Sequence, residues 1–201
     1  MSKAPRGPSA ASLMGLMCAA LLAGCASPPP RAMVIIPSAP VVASQPAEAA
    51  RPSGVALVTL RLPEHWQRRQ VLHLRHDAEL IAWPNAVWAE RVETGMTRRL
   101  SQALRQRAPE LGWWTGEEAL GARRLLIEVQ QLDVHAGRGE VVGTLTWRLV
   151  DRQGRVLDGG SQTRRLAAPV AGPQQEAEVL AAWLDLQADG LASRLSSLPT
   201  P

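Results

Sequence analysis

The chain has 201 residues with 22 basic and 18 acidic side chains, enough for one domain and a flanking segment. Lys3 is the only lysine, and Phe and Tyr are absent. The Arg pairs Arg68–Arg69, Arg98–Arg99, Arg123–Arg124 and Arg164–Arg165 are scattered along the chain. A nucleic-acid surface needs clustered cations interleaved with aromatic platforms, so nucleic acid is excluded as an expected partner.

In chain order, the first signal lies before residue 25. Lys3 and Arg6 form a positive start, and Leu13, Met14, Leu16, Met17, Leu21 and Leu22 form an apolar run of secretory length, so residues 1–24 are expected to be a signal peptide. The run ends in Leu22-Ala23-Gly24-Cys25, which resembles a bacterial lipobox. That resemblance implies cleavage before Cys25 and its acylation, with palmitate among the acyl chains. Ala26, rather than Asp, follows the cysteine, which by the same resemblance implies export to the outer membrane. Cys18 and Cys25 are the only cysteines. With one removed and one acylated, neither disulfides nor thiol chemistry are expected in the mature domain.

Residues 26–53 are rich in Pro, Ala and Ser, including Pro28-Pro29-Pro30, Pro37, Pro40, Pro46 and Pro52. This composition predicts an extended tether over 25–53, able to reach several tens of ångströms at about 3.1 Å per residue. The apolar patch Met33–Ile36 is read as tether, with an edge strand as the alternative.

A single domain is expected over 54–201. Val55–Leu62 reads as a strand stopped by Pro63, Val71–Arg75 as a half-buried strand, and Glu79–Trp83 as a third strand ended by Pro84. Trp88, Val92, Met96, Leu100 and Leu104 recur every four residues, predicting a helix from about Asn85 to Arg107, before Pro109. Leu111–Gly121 reads as an irregular connector carrying Trp113-Trp114. Three strands follow, over about 124–134, 140–150 and 155–166, the last two joined by the turn Asp151-Arg152-Gln153-Gly154. Pro173 then opens a helix to about Ser197, with Ala177, Leu180, Leu184, Ala188, Leu191, Leu195 and Leu198 on one stripe. The order predicts an α+β fold, a mostly antiparallel sheet with two amphipathic helices packed on one face.

The ordered set of a strand ending at Pro63, then Glu64-His65-Trp66-Gln67-Arg68-Arg69-Gln70-Val71, Trp88-Ala89-Glu90-Arg91-Val92, Leu126–Val129 and Trp147–Asp151, resembles the PqiC-type ABC transport auxiliary lipoproteins, which support membrane integrity. The resemblance spans 54–197 and follows a lipobox. It implies an outer-membrane lipoprotein on the periplasmic face, a non-catalytic docking subunit of an MCE-type intermembrane lipid transport system. Its implied partners are a periplasmic MCE-domain protein, inner-membrane transporter subunits and, through the lipid anchor, the outer membrane. The alternative is an envelope assembly or scaffold lipoprotein outside lipid traffic.

No catalytic, metal or cofactor site is expected. No Ser sits in a Gly-x-Ser-x-Gly turn. Glu90 and Glu93 fit a solvated face near a helix start. His73, His76, Asp77 and His135 lack the spacing of a shared ligand face. Three tryptophans are candidates for partner binding. Trp88 reads as core or as an anchor beside a partner surface. Trp113 and Trp114 read as a protein or membrane contact, or as a loop folded over the core edge.

Overall fold

The computed structural model describes residues 31–40, 54–57, 60–76, 78–114 and 122–198. The expected signal peptide, Cys25 and the parts of the expected tether over 26–30 and 41–53 lie outside the described residues. Among the described residues, eight strands form one sheet: β1 (Ala32–Val34), β2 (Val55–Leu57), β3 (Gln70–His76), β4 (Glu79–Trp88), β5 (Trp113–Trp114), β6 (Arg123–His135), β7 (Glu140–Val150) and β8 (Val156–Ala167). Helix α1 (Val92–Arg107) lies between β4 and β5, and α2 (Pro173–Ser196) ends the fold. The class is α+β, as expected.

The long ladders are antiparallel: β3–β4, β6–β7 and β7–β8. The sheet is nonetheless mixed rather than simply antiparallel, because β1–β4, β2–β5, β2–β6 and β3–β6 pair in parallel. All four parallel pairings are short, and all join segments remote in sequence. Turn signals fix only the hairpins between neighbouring strands, so periodicity could not reveal them. Strand β6 carries both kinds of neighbour. One edge runs along β7; the other meets β2 near its start and β3 at His135.

Strict alternation builds the core side of the central strands. On β7, Val141, Leu145, Trp147 and Leu149 point inward and are buried. On β6, Leu125, Ile127 and Val129 are buried, then Leu132 and Val134. The step from odd to even positions is a β-bulge, where the register shifts between Val129 and Gln131. One extra residue there returns the apolar side chains to the core. Helix α1 contributes Met96, Leu100, Ala103 and Leu104, all fully buried, and α2 contributes Leu180, Trp183, Leu184 and Leu191. The helices are joined at their flanks by Arg99–Asp185 at 2.5 Å and by Arg107–Asp189.

Two expectations about boundaries fail. The Met33–Ile36 patch is not tether. Residues 32–34 pair with Ala86–Trp88 of β4, and Ile36 is 2% exposed. Beyond β1 the chain stays docked on α1: Arg98 donates to the Ile36 carbonyl at 3.1 Å, and the Ala39 N–H donates to Gln102 Oε1 at 2.8 Å. Proline-rich composition forbids a packed core of its own, yet three apolar side chains suffice to dock on a core built elsewhere.

The second failure concerns Trp88, which ends β4 rather than opening α1. Strand β4 continues past Pro84 by bulging. Its register with β3 jumps from Leu72↔Ala82 to Gln70↔Val87. Asn85 takes the left-handed conformation at φ 54, which Asn tolerates better than most residues. The four-residue spacing from Trp88 to Val92 imitates helix periodicity because both side chains enter the same core.

Candidate functional site: the entry edge of the sheet

The bulge in β4 organises one edge of the molecule. It displaces Trp83–Ala86 outward from β3, and β1 adds to β4 just beyond it. Between them lies a groove of about 570 Å³, lined by Arg31, Met33, Arg69, Trp83, Asn85 and Val87. Along β1 and the two residues after it the side chains alternate: Val34 and Ile36 are buried, while Met33 and Ile35 are 64% and 53% exposed.

Trp83 ties this edge to α2. Its Nε1 donates to Glu176 Oε2 at 2.6 Å, and its ring stacks on His73 with centroids 4.1 Å apart. Glu176 is fully buried in the first turn of α2, and its Oε1 has no hydrogen-bond partner among the described residues. Burial pushes the Glu176 carboxyl up to about 8, against the opposing effect of the indole hydrogen bond. The side chain is therefore neutral at pH 7. His73 is held below its ordinary value by burial and, secondarily, by Arg75. Both groups are thus uncharged where they meet Trp83, and the edge is fixed by a neutral contact. Sequence reasoning missed Glu176, although its spacing was a signal: it lies four residues before Leu180, on the apolar stripe.

A second, smaller cleft of about 190 Å³ lies around Trp66, Trp88 and residues 89–93. Trp66 is buried and its Nε1 donates to the Leu132 carbonyl at 3.0 Å. Trp88 is 3% exposed, the burial of a core residue. Glu90 is engaged by Arg98 through two bonds, at 2.7 and 2.8 Å, which hold the start of α1 to the loop before it. Glu93 pairs separately with Arg91 at 2.7 Å. The two carboxylates therefore serve different ion pairs.

Trp113 and Trp114 form β5, beside β2, where an irregular loop was expected. Trp113 is half-buried against the core, and its Nε1 donates to the Ala108 carbonyl at 2.8 Å. The Trp114 side chain lies outside the described residues. Trp113→Ala is accordingly expected to cost about 2 kcal/mol of stability, below the range for a fully buried Trp. Urea unfolding checks this, and an unchanged midpoint would return Trp113 to the surface.

The remaining histidine candidates gather no metal-binding group of three or more ligands among the described residues. His73 lies on β3 and His135 ends β6, His135 within 3.0 Å of an Arg138 nitrogen. Asp77 lies outside the described residues.

A two-layer α+β domain with an N-terminal segment added to the sheet edge is the architecture defined so far. Comparison with known proteins gives it a family. The family model described as "ABC-type transport auxiliary lipoprotein component" matches residues 36–189, and the chain belongs to that family. A solved structure described only as an uncharacterized protein is 16% identical, with TM-score 0.64, covering 83% of this chain and 99% of its own. Protein XCC0632 from Xanthomonas campestris is also 16% identical, with TM-score 0.54, covering 82% of this chain and 92% of its own. At such identities these structures establish the fold alone. No curated protein matches the chain.

Proposed function

We propose that the chain is an outer-membrane lipoprotein, anchored through acylated Cys25, that acts as a non-catalytic docking subunit of an MCE-type intermembrane lipid transport system. The observation that carries this reading is the order of two features: the run Leu22-Ala23-Gly24-Cys25, followed by a transport auxiliary family match over 36–189. Its partners are a periplasmic MCE-domain protein and, through it, the inner-membrane transporter. Trp114, on the strand beside β2, is the tryptophan kept as a candidate partner contact. The described surface offers grooves and sheet edges suited to docking.

Two experiments test the proposal. Cys25→Ala removes the acylation site, so fractionation should recover uncleaved or soluble protein in place of an outer-membrane form. Mature protein still recovered from the outer membrane would refute the anchor. Separately, the acylated chain in detergent should co-elute with a cognate MCE-domain protein. Failure to co-elute, with both proteins folded, would favour an envelope scaffold.

A further inference from the structure

We infer that the groove at the start of β1 is the membrane-facing surface of the domain, seating on a phospholipid surface that carries anionic headgroups. This inference rests on the proposed acylation of Cys25.

Chain length comes first. A tether running to residue 53 would leave the domain free to stand well away from its anchor in any orientation. Because β1 begins at Ala32, only seven peptide steps separate it from Cys25, at most about 25 Å of fully extended chain. The opposite edge of the sheet, β8, lies five strand spacings further on, through β4, β3, β6 and β7, or about 24 Å at 4.8 Å per strand. That reach is no longer than the sheet is wide, so an acylated Cys25 keeps the start of β1 within about 25 Å of the bilayer, and the side chains at that edge decide whether it settles there.

The side chains at that edge suit a bilayer surface. Arg31 and Arg69 line the groove, both are exposed, and neither forms an ion pair among the described residues. This contrasts with Arg75, Arg91, Arg98 and Arg99, each of which has a carboxylate partner. Among the described residues, no Asp or Glu lines the groove. Met33 lines the same groove as the two arginines, and Ile35, just past the end of β1, is exposed. Guanidinium groups at headgroup depth, beside an indole and with apolar side chains reaching the acyl boundary, form the usual pattern of an interfacial contact. The cations favour anionic headgroups, each contributing roughly fivefold to binding near the surface. The β4 bulge, pinned by Trp83 to Glu176, keeps the groove open.

The test uses the full acylated chain in vesicles. With Cys18 removed and Cys25 acylated, Met33→Cys provides a unique thiol for a fluorophore, and Leu157→Cys provides one on β8. Vesicles contain phosphatidylethanolamine, headgroup spin-labelled lipid and either phosphatidylglycerol or phosphatidylcholine. Strong quenching at position 33 and little at 157 is expected with phosphatidylglycerol. That difference should be lost when Arg31→Gln is combined with Arg69→Gln, or when phosphatidylcholine replaces the anionic lipid. Equal quenching at both positions would overturn the inference, as would none at either while the chain floats with the vesicles; in both cases the anchor stands. Shielding of position 33 only on addition of the MCE-domain protein would assign this edge to a protein partner and overturn it too. A chain that neither floats nor carries acyl groups would overturn the anchor, and this inference with it.

Discussion

Glu176→Gln is expected to leave stability nearly unchanged at pH 4.5 and to raise it by about 4 kcal/mol at pH 9, against a slope of about 1.4 kcal/mol per pH unit in the parent chain. The Glu176 carboxyl titrates near 8 in the folded chain, against an ordinary value of 4.5. Below 4.5 both folded and unfolded chains hold the proton, and the contribution is fully present. Between 4.5 and 8 the unfolded chain has released its proton while the folded chain retains it. Stability then falls as pH rises, until the folded carboxyl also ionises. Glutamine is nearly isosteric, keeps an oxygen for the Trp83 indole and cannot ionise, so the slope should vanish. His73 acts in the opposite sense. Its depressed value costs stability as pH falls below 6.5, the ordinary value, so the parent chain should be most stable at mildly acidic pH. The difference between parent and variant cancels the His73 contribution to first order. Urea unfolding at pH 4.5, 7 and 9 checks this. Parallel pH profiles for the two chains would show that Glu176 is either ionised or wetter than its burial indicates.

Such a residue is costly unless it does something that a leucine could not. Its position supplies a reason: its hydrogen bond reaches across from α2 to the displaced part of β4 and fixes the Trp83 indole. An apolar side chain would fill the space and leave the indole N–H without an acceptor in a half-buried setting. Loosening that contact should loosen the β4 bulge and the β1 edge beyond it.

What could be read from the sequence follows the reach of its signals. The β6–β7–β8 meander was legible because alternation runs for many residues there and turn sequences separate its strands. The second helix was legible from its stripe and from Pro173. The parts that failed are those where a short segment borrows a neighbour's structure. Three apolar residues in a proline-rich stretch cannot announce β1, since its stability comes from β4 and from the helix layer it packs on. Trp113-Trp114 cannot announce β5, because two residues have no period. Pro84 suggested a strand end and Trp88 a helix start, yet the bulge at Asn85 lets the strand absorb the proline and continue. These failures fall largely on the edge that forms the groove. That edge is built from long-range parallel pairings, to which local patterns are blind. The buried polar groups were missed for a related reason: Glu176 and Gln187 occupy stripe positions beside Leu180, Leu184 and Leu191, and only the fold shows what they meet.

The grip of α2 on the sheet depends on an absent side chain. Gly143 lies in the middle of β7, and a Cβ built there would stand 2.4 Å from Trp183 Cζ2 and 2.9 Å from Cε2. Trp183 is fully buried and its Nε1 donates to the Arg164 carbonyl at 3.2 Å, so the indole has little room to yield. On the other side of the same position, the Gln131 carbonyl would be 3.1 Å away. Gly143→Ala should therefore push α2 off the sheet at a cost of about 3 kcal/mol, at the upper end of overpacking effects. Trp183→Ala alone should cost about 3–5 kcal/mol by opening a cavity. Combining the two should cost clearly less than their sum, because the added methyl enters space the indole has vacated. The expected coupling is of order 2 kcal/mol, within the range for residues in direct contact. Urea unfolding of the four chains measures it. Strict additivity would mean that strain at Gly143 comes from the β6 backbone rather than the indole, and that α2 is held by its remaining contacts: Gln187 to the Gly143 carbonyl at 3.4 Å, and Gln162 to the Gln187 carbonyl at 2.8 Å.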